Sequence, residues 1–297
     1  MDIRRLRRPG KGEAAKMQSK RIGLAAVLGA FVLLSPAAAS AKTLIGSGSS
    51  VAQPYLQSLF AAYHRVRPGI SFLYTADGGN AGVKDVQSGR SQFAVNTRPP
   101  LPSDAGTTYV KLWLDGLCIY VNSQNRLSNL SIGELAGIFT GVSTSWSQFP
   151  GSGLSTTIDA VGRDSTAGTF SFFTAAVLNG QTQGSNVNTQ ASDGLVANAI
   201  GHDPNSIGYA GLARAKDPGL KKVNVGGIAC APAFVKTLKY PLSRFIWMVF
   251  PTASPDLDVQ KFTDWARTSV PAGEIITKVG AVPAFNKTAH KKHKRKH

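Results

Sequence analysis

Histidines, cysteines and acidic residues are scarce in this chain, and each scarcity excludes a kind of chemistry. Of five histidines in 297 residues, only His64 and His202 lie outside the last twelve positions. In the body, paired His or Cys at metal-ligand spacing is absent, nothing fixes the geometry of His290, His293 and His297 in the tail, and no metal or cofactor is expected. No G-x-S-x-G elbow occurs, which argues against a serine hydrolase. Gly46-Ser47-Gly48-Ser49-Ser50-Val51 begins like a dinucleotide fingerprint but lacks the third glycine, and no phosphate-loop Lys-Ser/Thr pair follows it. The 16 acidic residues are scattered and mostly adjoin Gly or Pro, as turn and cap residues do. Cys118 and Cys230 are the only cysteines, each in an apolar, strand-like stretch. A disulfide and two buried thiols both stay open.

The two ends of the chain are basic. Residues 1–41 combine Arg and Lys with the apolar run 22–34, Pro36, and Ala-Ser-Ala at 39–41. That is a secretory signal cut after Ala41, with an apolar run too short to span a bilayer comfortably. Met17 followed by Lys20-Arg21 is an alternative start. Arg4-Arg5 and Arg7-Arg8 lie too far from the apolar run for twin-Arg export. No Cys follows the cleavage site, so no lipid anchor is expected there, and the mature protein is read as periplasmic. Residues 286–297, Asn-Lys-Thr-Ala-His-Lys-Lys-His-Lys-Arg-Lys-His, repel themselves and are expected to be disordered. They read either as a dock for an anionic surface or as a solubility tail.

The net charge of +17 includes +6 from residues 1–41 and +6 from residues 286–297, which leaves +5 for the body. That excess can steer an anion but is not a nucleic-acid-binding charge. In the body, short strands alternate with helices, which predicts an α/β fold with largely parallel sheets. A strand at 43–45 leads to a helix with Ser50 as N-cap, Pro54 in its first turn, and Tyr55, Leu56, Leu59, Phe60 and Tyr63 at helical spacing. Strands follow at 70–74, 92–95, 116–121, 207–210, 223–225 and 245–250, with a short helix at 83–87. Ser131 and Glu134 form a capping box. Ser192 caps another helix, and Ser254-Pro255 opens the last one.

Two Gly/Ser segments, 46–51 and 162–174, carry the binding signal. In the second, Arg163 leads Asp164-Ser165-Thr166-Ala167-Gly168-Thr169 directly into an apolar helical pattern. Helix N-termini offer unpaired N–H groups and a positive dipole end, small residues allow close approach, and Arg adds a forked donor. Arg98 follows another strand end, and residues 77–82 form a third loop before a helix. In α/β sheets ligands sit beyond the carboxyl ends of strands. One oxyanion held between distant loops is the reading these segments support together.

The chain also resembles the periplasmic phosphate-binding proteins that feed high-affinity phosphate ABC transporters. The resemblance rests on 46–50 with Pro54, 78–82 before Val83-Lys84, 92–99, 130–141 with Trp146, 163–169, Ile207-Gly-Tyr-Ala-Gly-Leu212 and Tyr240-Pro-Leu-Ser-Arg244. It covers nearly all of 43–285. It implies the type II two-lobe fold with a ligand cleft between lobes, 42–122 plus 243–285 forming one and 123–242 the other. It implies an anion site drawn from Ser49, Ser50, Val51, Asn80, Thr97, Arg98, Arg163, Ser165, Thr166, Ala167, Gly168 and Thr169. Ser50, Arg98, Arg163 and Thr169 would contact the anion, and N–H groups around Val51, Asn80 and Gly168 would assist. The protein would be a monomer that is not an enzyme and docks on a permease. Three departures stand out: Thr97 where some relatives have Asp, Ala167 where Ser is usual with Ser165 or Thr166 as substitutes, and Gly79 where Ser is common. They admit other ligands: sulfate, molybdate or a phosphorylated small molecule. A surface or matrix adhesion protein with a vestigial cleft is the reading from another class.

Overall fold

The computed structural model describes residues 42–285. The expected signal peptide and basic tail lie outside the described residues. The elements run β1 (Lys42–Gly48), α1 (Gln53–Val66), β2 (Ile70–Thr75), α2 (Gly79–Gln87), β3 (Phe93–Asn96), β4 (Thr107–Asn122), β5 (Asn129–Leu130), α3 (Ile132–Thr140), β6 (Asp159–Arg163) and α4 (Gly168–Ala176). Then come β7 (Val187–Gln190), α5 (Asp193–His202), β8 (Ser206–Gly211), β9 (Leu220–Val225), α6 (Pro232–Lys236), β10 (Ser243–Pro251), α7 (Leu257–Thr268), α8 (Val270–Val279) and β11 (Val282–Pro283).

The main sheet order is β2-β1-β3-β10-β4-β8-β6-β7. Within the arm β2-β1-β3 the strands are parallel, and so are those of β8-β6-β7. Between the arms lie β10 and β4, whose pairings with each other and with β3 and β8 are antiparallel. The expectation of largely parallel sheets therefore holds for the arms and fails at the centre. The strand expected at 116–121 is only the buried end of the 16-residue β4.

β4 carries two hydrophobic cores. Leu44, Tyr55, Leu59, Phe93, Trp113, Ile246, Phe262 and Ile276 belong to one. Leu114, Leu117, Phe139, Phe173, Tyr209, Val223 and Leu242 belong to the other. The helical spacing in α1 buries Tyr55, Leu56, Leu59 and Tyr63 in the first, each large side chain contributing about 1.5–3 kcal/mol. Cys118 of β4 and Cys230 form a disulfide inside the second.

Several caps behave as the sequence predicts. Ser131 and Glu134 make their capping box, and the Ser192 side chain accepts from Leu195 N. Two differ. α1 is preceded by Ala52, with no side-chain cap. The last-but-one helix is capped by Asp256 rather than opened by Ser254, because the aspartate oxygen accepts from both Asp258 N and Val259 N. His202 is the last residue of α5 rather than part of a turn, and both it and His64 are exposed.

Candidate functional site

Each expected segment lies at the end of a strand. β1 ends at Gly48, and Ser49-Ser50-Val51 lead to α1. Gly48 adopts φ +122°, in the region that favours glycine. Its N–H donates to Asp77 (3.0 Å), and Ser49 N donates to the Val95 carbonyl (2.8 Å). Ser49 Oγ accepts from Ala52 N at 3.4 Å, so the turn is held by Ser49, not Ser50.

Ser50 is instead turned across to the second core. Its Oγ accepts from Arg163 Nη1 (3.0 Å) and from Asp193 N (3.0 Å). A hydroxyl that accepts twice has only its own hydrogen left to give. Ser50 is therefore a donor toward the site.

Arg163 ends β6 and is 2% exposed. Its Nε donates to the Gln190 carbonyl (2.8 Å), its Nη2 to the Ala191 carbonyl (2.9 Å), and its backbone N to Tyr209 Oη (3.0 Å). Burial pulls the pKa of this guanidinium below its ordinary value, partly offset by the more distant Asp193 and Asp164. No carboxylate lies in ion-pair contact with it among the described residues, unlike the two other deeply buried arginines. Arg98 pairs with Asp104 (Nη1–Oδ2 2.6 Å). Arg244 pairs with Asp115 (Nη2–Oδ2 3.1 Å), directly opposite on the β10–β4 ladder.

The loop after Arg163 is folded by Asp164, whose Oδ1 accepts from the Thr166 N–H and hydroxyl and whose carbonyl accepts from Ala167 N. Ser165 and Thr166 are exposed, and Ala167, Gly168 and Thr169 are buried. With its hydroxyl on Asp164, Thr166 does not replace the hydroxyl that Ala167 lacks. α4 starts at Gly168, and its first N–H groups have no acceptor within the helix. Thr169 Oγ1 accepts from Arg244 Nη1 (3.2 Å) and lies 3.2 Å from Thr97 Oγ1.

The structure thus brings Ser49, Ser50, Val51, Thr97, Arg163, Ala167, Gly168 and Thr169 together as buried residues. Arg98 and Asn80 are near but otherwise engaged. Arg98 forms a bidentate pair with Asp104 and donates to the Pro99 carbonyl, Tyr109 Oη and Asn80 Oδ1. The Asn80 N–H, expected to face the anion, donates to the Thr166 carbonyl at 2.9 Å.

Sequence reasoning missed four participants: Asn96, Asp193, Tyr209 and Arg244. Asn96 is fully buried; its Nδ2 donates to the Gly79 carbonyl (3.0 Å) and its Oδ1 accepts from Thr97 N (2.7 Å). A Cβ on Gly79 or on Gly168 would collide with this same side chain. The glycine at 79 therefore follows from Asn96, which wedges the two loops apart. Asp115 and Arg244 did leave a signal, because each is a charge inside an apolar strand and needs a buried partner.

Residues 35–268 match the family model for the PBP superfamily domain. The chain belongs to the PBP superfamily. Among relatives of this superfamily member, the phosphate-binding protein PstS of Borreliella burgdorferi is 24% identical over 245 residues, covering 78% of this chain and 87% of the relative. The PstS of Bacillus subtilis is 23% identical, covering 80% and 79%. The fold is that of a Clostridium perfringens protein described as a phosphate ABC transporter substrate-binding protein with bound phosphate, at TM-score 0.76 and 23% identity over 82% of this chain and 99% of that one. An ABC-type phosphate transport receptor from Vibrio cholerae matches at TM-score 0.67 and 21% identity, covering 80% and 99%. These are two-lobe binding proteins, and the two cores on β4 fit that architecture. Among the described residues no helix is long and apolar enough to cross a membrane.

Proposed function

We propose that this chain captures inorganic phosphate in the cleft between its lobes and delivers it to an ABC permease. The lobes are 42–122 with 243–285, and 123–242. The observation that carries the reading is Arg163, buried and without a carboxylate partner among the described residues while Arg98 and Arg244 each have one. A buried, uncompensated cation is costly, and a bound anion relieves that cost. Around Arg163 stand the Ser50 hydroxyl, one hydrogen of the Thr97–Thr169 pair, and the first N–H groups of α1 and α4. They form an array of donors suited to a tetrahedral oxyanion. The relatives named for phosphate binding supply the ligand. Export by residues 1–41 would place the protein in the periplasm as a monomeric receptor without enzymatic activity, with residues 286–297 available to an anionic surface.

One observation favours a second oxyanion. Thr97 offers a hydroxyl, already hydrogen-bonded to Thr169, where a carboxylate would accept the proton of hydrogen phosphate. Sulfate, which needs no such acceptor, is the natural competitor.

Calorimetric titration of protein stripped of anion by partial unfolding tests both readings. Phosphate binds, and Arg163→Met weakens it by about two to three orders of magnitude, or about 3–4 kcal/mol, within the range for truncating a buried charge partner. Equal binding by wild type and Arg163→Met would sink the proposal. Sulfate displacing phosphate at comparable concentration would establish the second reading.

A further inference from the structure

Asn80 directs its N–H and its side chain to the loop that precedes α4, to Ser171 within α4, and to Arg98. Its N–H donates to the Thr166 carbonyl (2.9 Å), and the neighbouring Ala81 N–H donates to the same oxygen (3.2 Å). Its Nδ2 donates to the Ser165 carbonyl (2.9 Å), to Ser171 Oγ (2.8 Å) and, at greater length, to the Ala167 carbonyl (3.3 Å). Three consecutive carbonyl oxygens beside an anion site would repel the ligand. Here all three are hydrogen-bonded against the start of α2.

The direction of the Asn80 amide is not arbitrary. Arg98 Nε meets Oδ1 at 2.7 Å, and a guanidinium can only donate. The oxygen must therefore face Arg98, and the two amide hydrogens face the loop. Asp104 fixes Arg98 through both of its oxygens. The approach is close: Gly78 has φ +110°, and a Cβ there would collide with the Thr166 carbonyl.

We infer that Asn80, oriented by Arg98, is a positioning residue that holds the carbonyls of Ser165, Thr166 and Ala167 on α2 and so presents the first N–H groups of α4 to the anion. Arg98 then acts on affinity at one remove rather than by touching the ligand. The inference deepens the phosphate reading and rests on it for the identity of the anion.

The test uses the full chain with Asn80→Ala, Asn80→Asp and Ser171→Ala, titrated with inorganic phosphate. Asn80→Ala should weaken binding about 10- to 100-fold, as expected for several ordinary hydrogen bonds lost together. Asn80→Asp should weaken it further, because a carboxylate faces carbonyls with no hydrogen to give. Its deficit relative to wild type at the same pH should shrink as pH falls toward about 4, where the new carboxyl gains a proton. Ser171→Ala should cost about threefold alone and less in the Asn80→Ala background. That arm keeps the test open if Asn80→Ala fails to fold. Binding by Asn80→Ala within about twofold of wild type, or a pH-independent deficit in Asn80→Asp, would overturn the inference. Hydrogen exchange of ligand-free protein separates its failure from that of the phosphate reading. Faster exchange over residues 164–171 in Asn80→Ala, with 257–268 unchanged, supports the positioning role even if wild type binds no phosphate. Unchanged exchange over 164–171 refutes it.

Discussion

Arg98 and Arg163 look alike in the sequence and differ in the fold. Each stands at or just past the end of a parallel strand, β3 or β6, and each has an aspartate close by, Asp104 or Asp164. After Arg98 the chain turns at Pro102–Asp104 and brings the carboxylate back, giving a closed pair with both side chains 5% exposed. After Arg163 the chain instead folds Asp164 onto Thr166, and the guanidinium is left to carbonyls and Ser50. Nearness in sequence does not make an ion pair. The local turn decides which carboxylate returns, and the arginine whose carboxylate does not return is the one available to a ligand.

That contrast predicts opposite costs for one substitution. Arg98→Met leaves Asp104 buried without its partner and should lower stability by about 3–5 kcal/mol in denaturant unfolding. Arg163→Met removes an uncompensated charge and leaves only neutral acceptors unpaired, so its loss should be about 1–3 kcal/mol. A larger stability loss for Arg163→Met than for Arg98→Met would break the distinction. A smaller effect sharpens it. Arg98→Met combined with Asp104→Leu removes both charges and should unfold closer to wild type than Arg98→Met alone, since a buried pair replaced by apolar groups is often nearly neutral.

Much of the fold was legible because it rests on local rules. The Ser131–Glu134 box, the Ser192 cap and the apolar face of α1 are set within a few residues of sequence, and each appears as expected. The placing of the Gly/Ser segments at strand-to-helix junctions was legible for the same reason, because small residues there permit close backbone approach. What could not be read depends on distant partners. Ser50 looked like a cap because Ser is a good cap, and only Arg163 and the Asp193 N–H, 113 and 143 residues away, assign it elsewhere. Arg98 looked like an anion ligand because nothing local shows that Asp104 is folded back upon it. Gly79 looked like a lost serine, and the space it leaves is filled by Asn96 from another strand. The antiparallel centre of the sheet follows from β10, which joins the first arm from the far end of the chain.

The smallest effect tests the pairing by pH. Burial works to raise the Asp104 carboxyl, but hydrogen bonds from Arg98, the Leu101 N–H and the Tyr109 hydroxyl outweigh it and hold the group below its ordinary value of 3.8. A carboxyl lowered by folding contributes stability that is fully present above the unfolded value and is lost as pH falls through the folded one. The stability difference between wild type and Asp104→Asn should therefore be constant near neutral pH and shrink below about pH 4, by about 1.4 kcal/mol for each tenfold change in the acidity of Asp104. In Arg98→Met the main opposing interaction is gone, burial dominates, and the same carboxyl should move above 3.8. Its sign then reverses: Arg98→Met should regain part of its lost stability on acidification over the range where wild type declines. Parallel decline of the two proteins would mean that Arg98 is not what keeps Asp104 ionised, and the difference between the paired Arg98 and the open Arg163 would lose its physical basis.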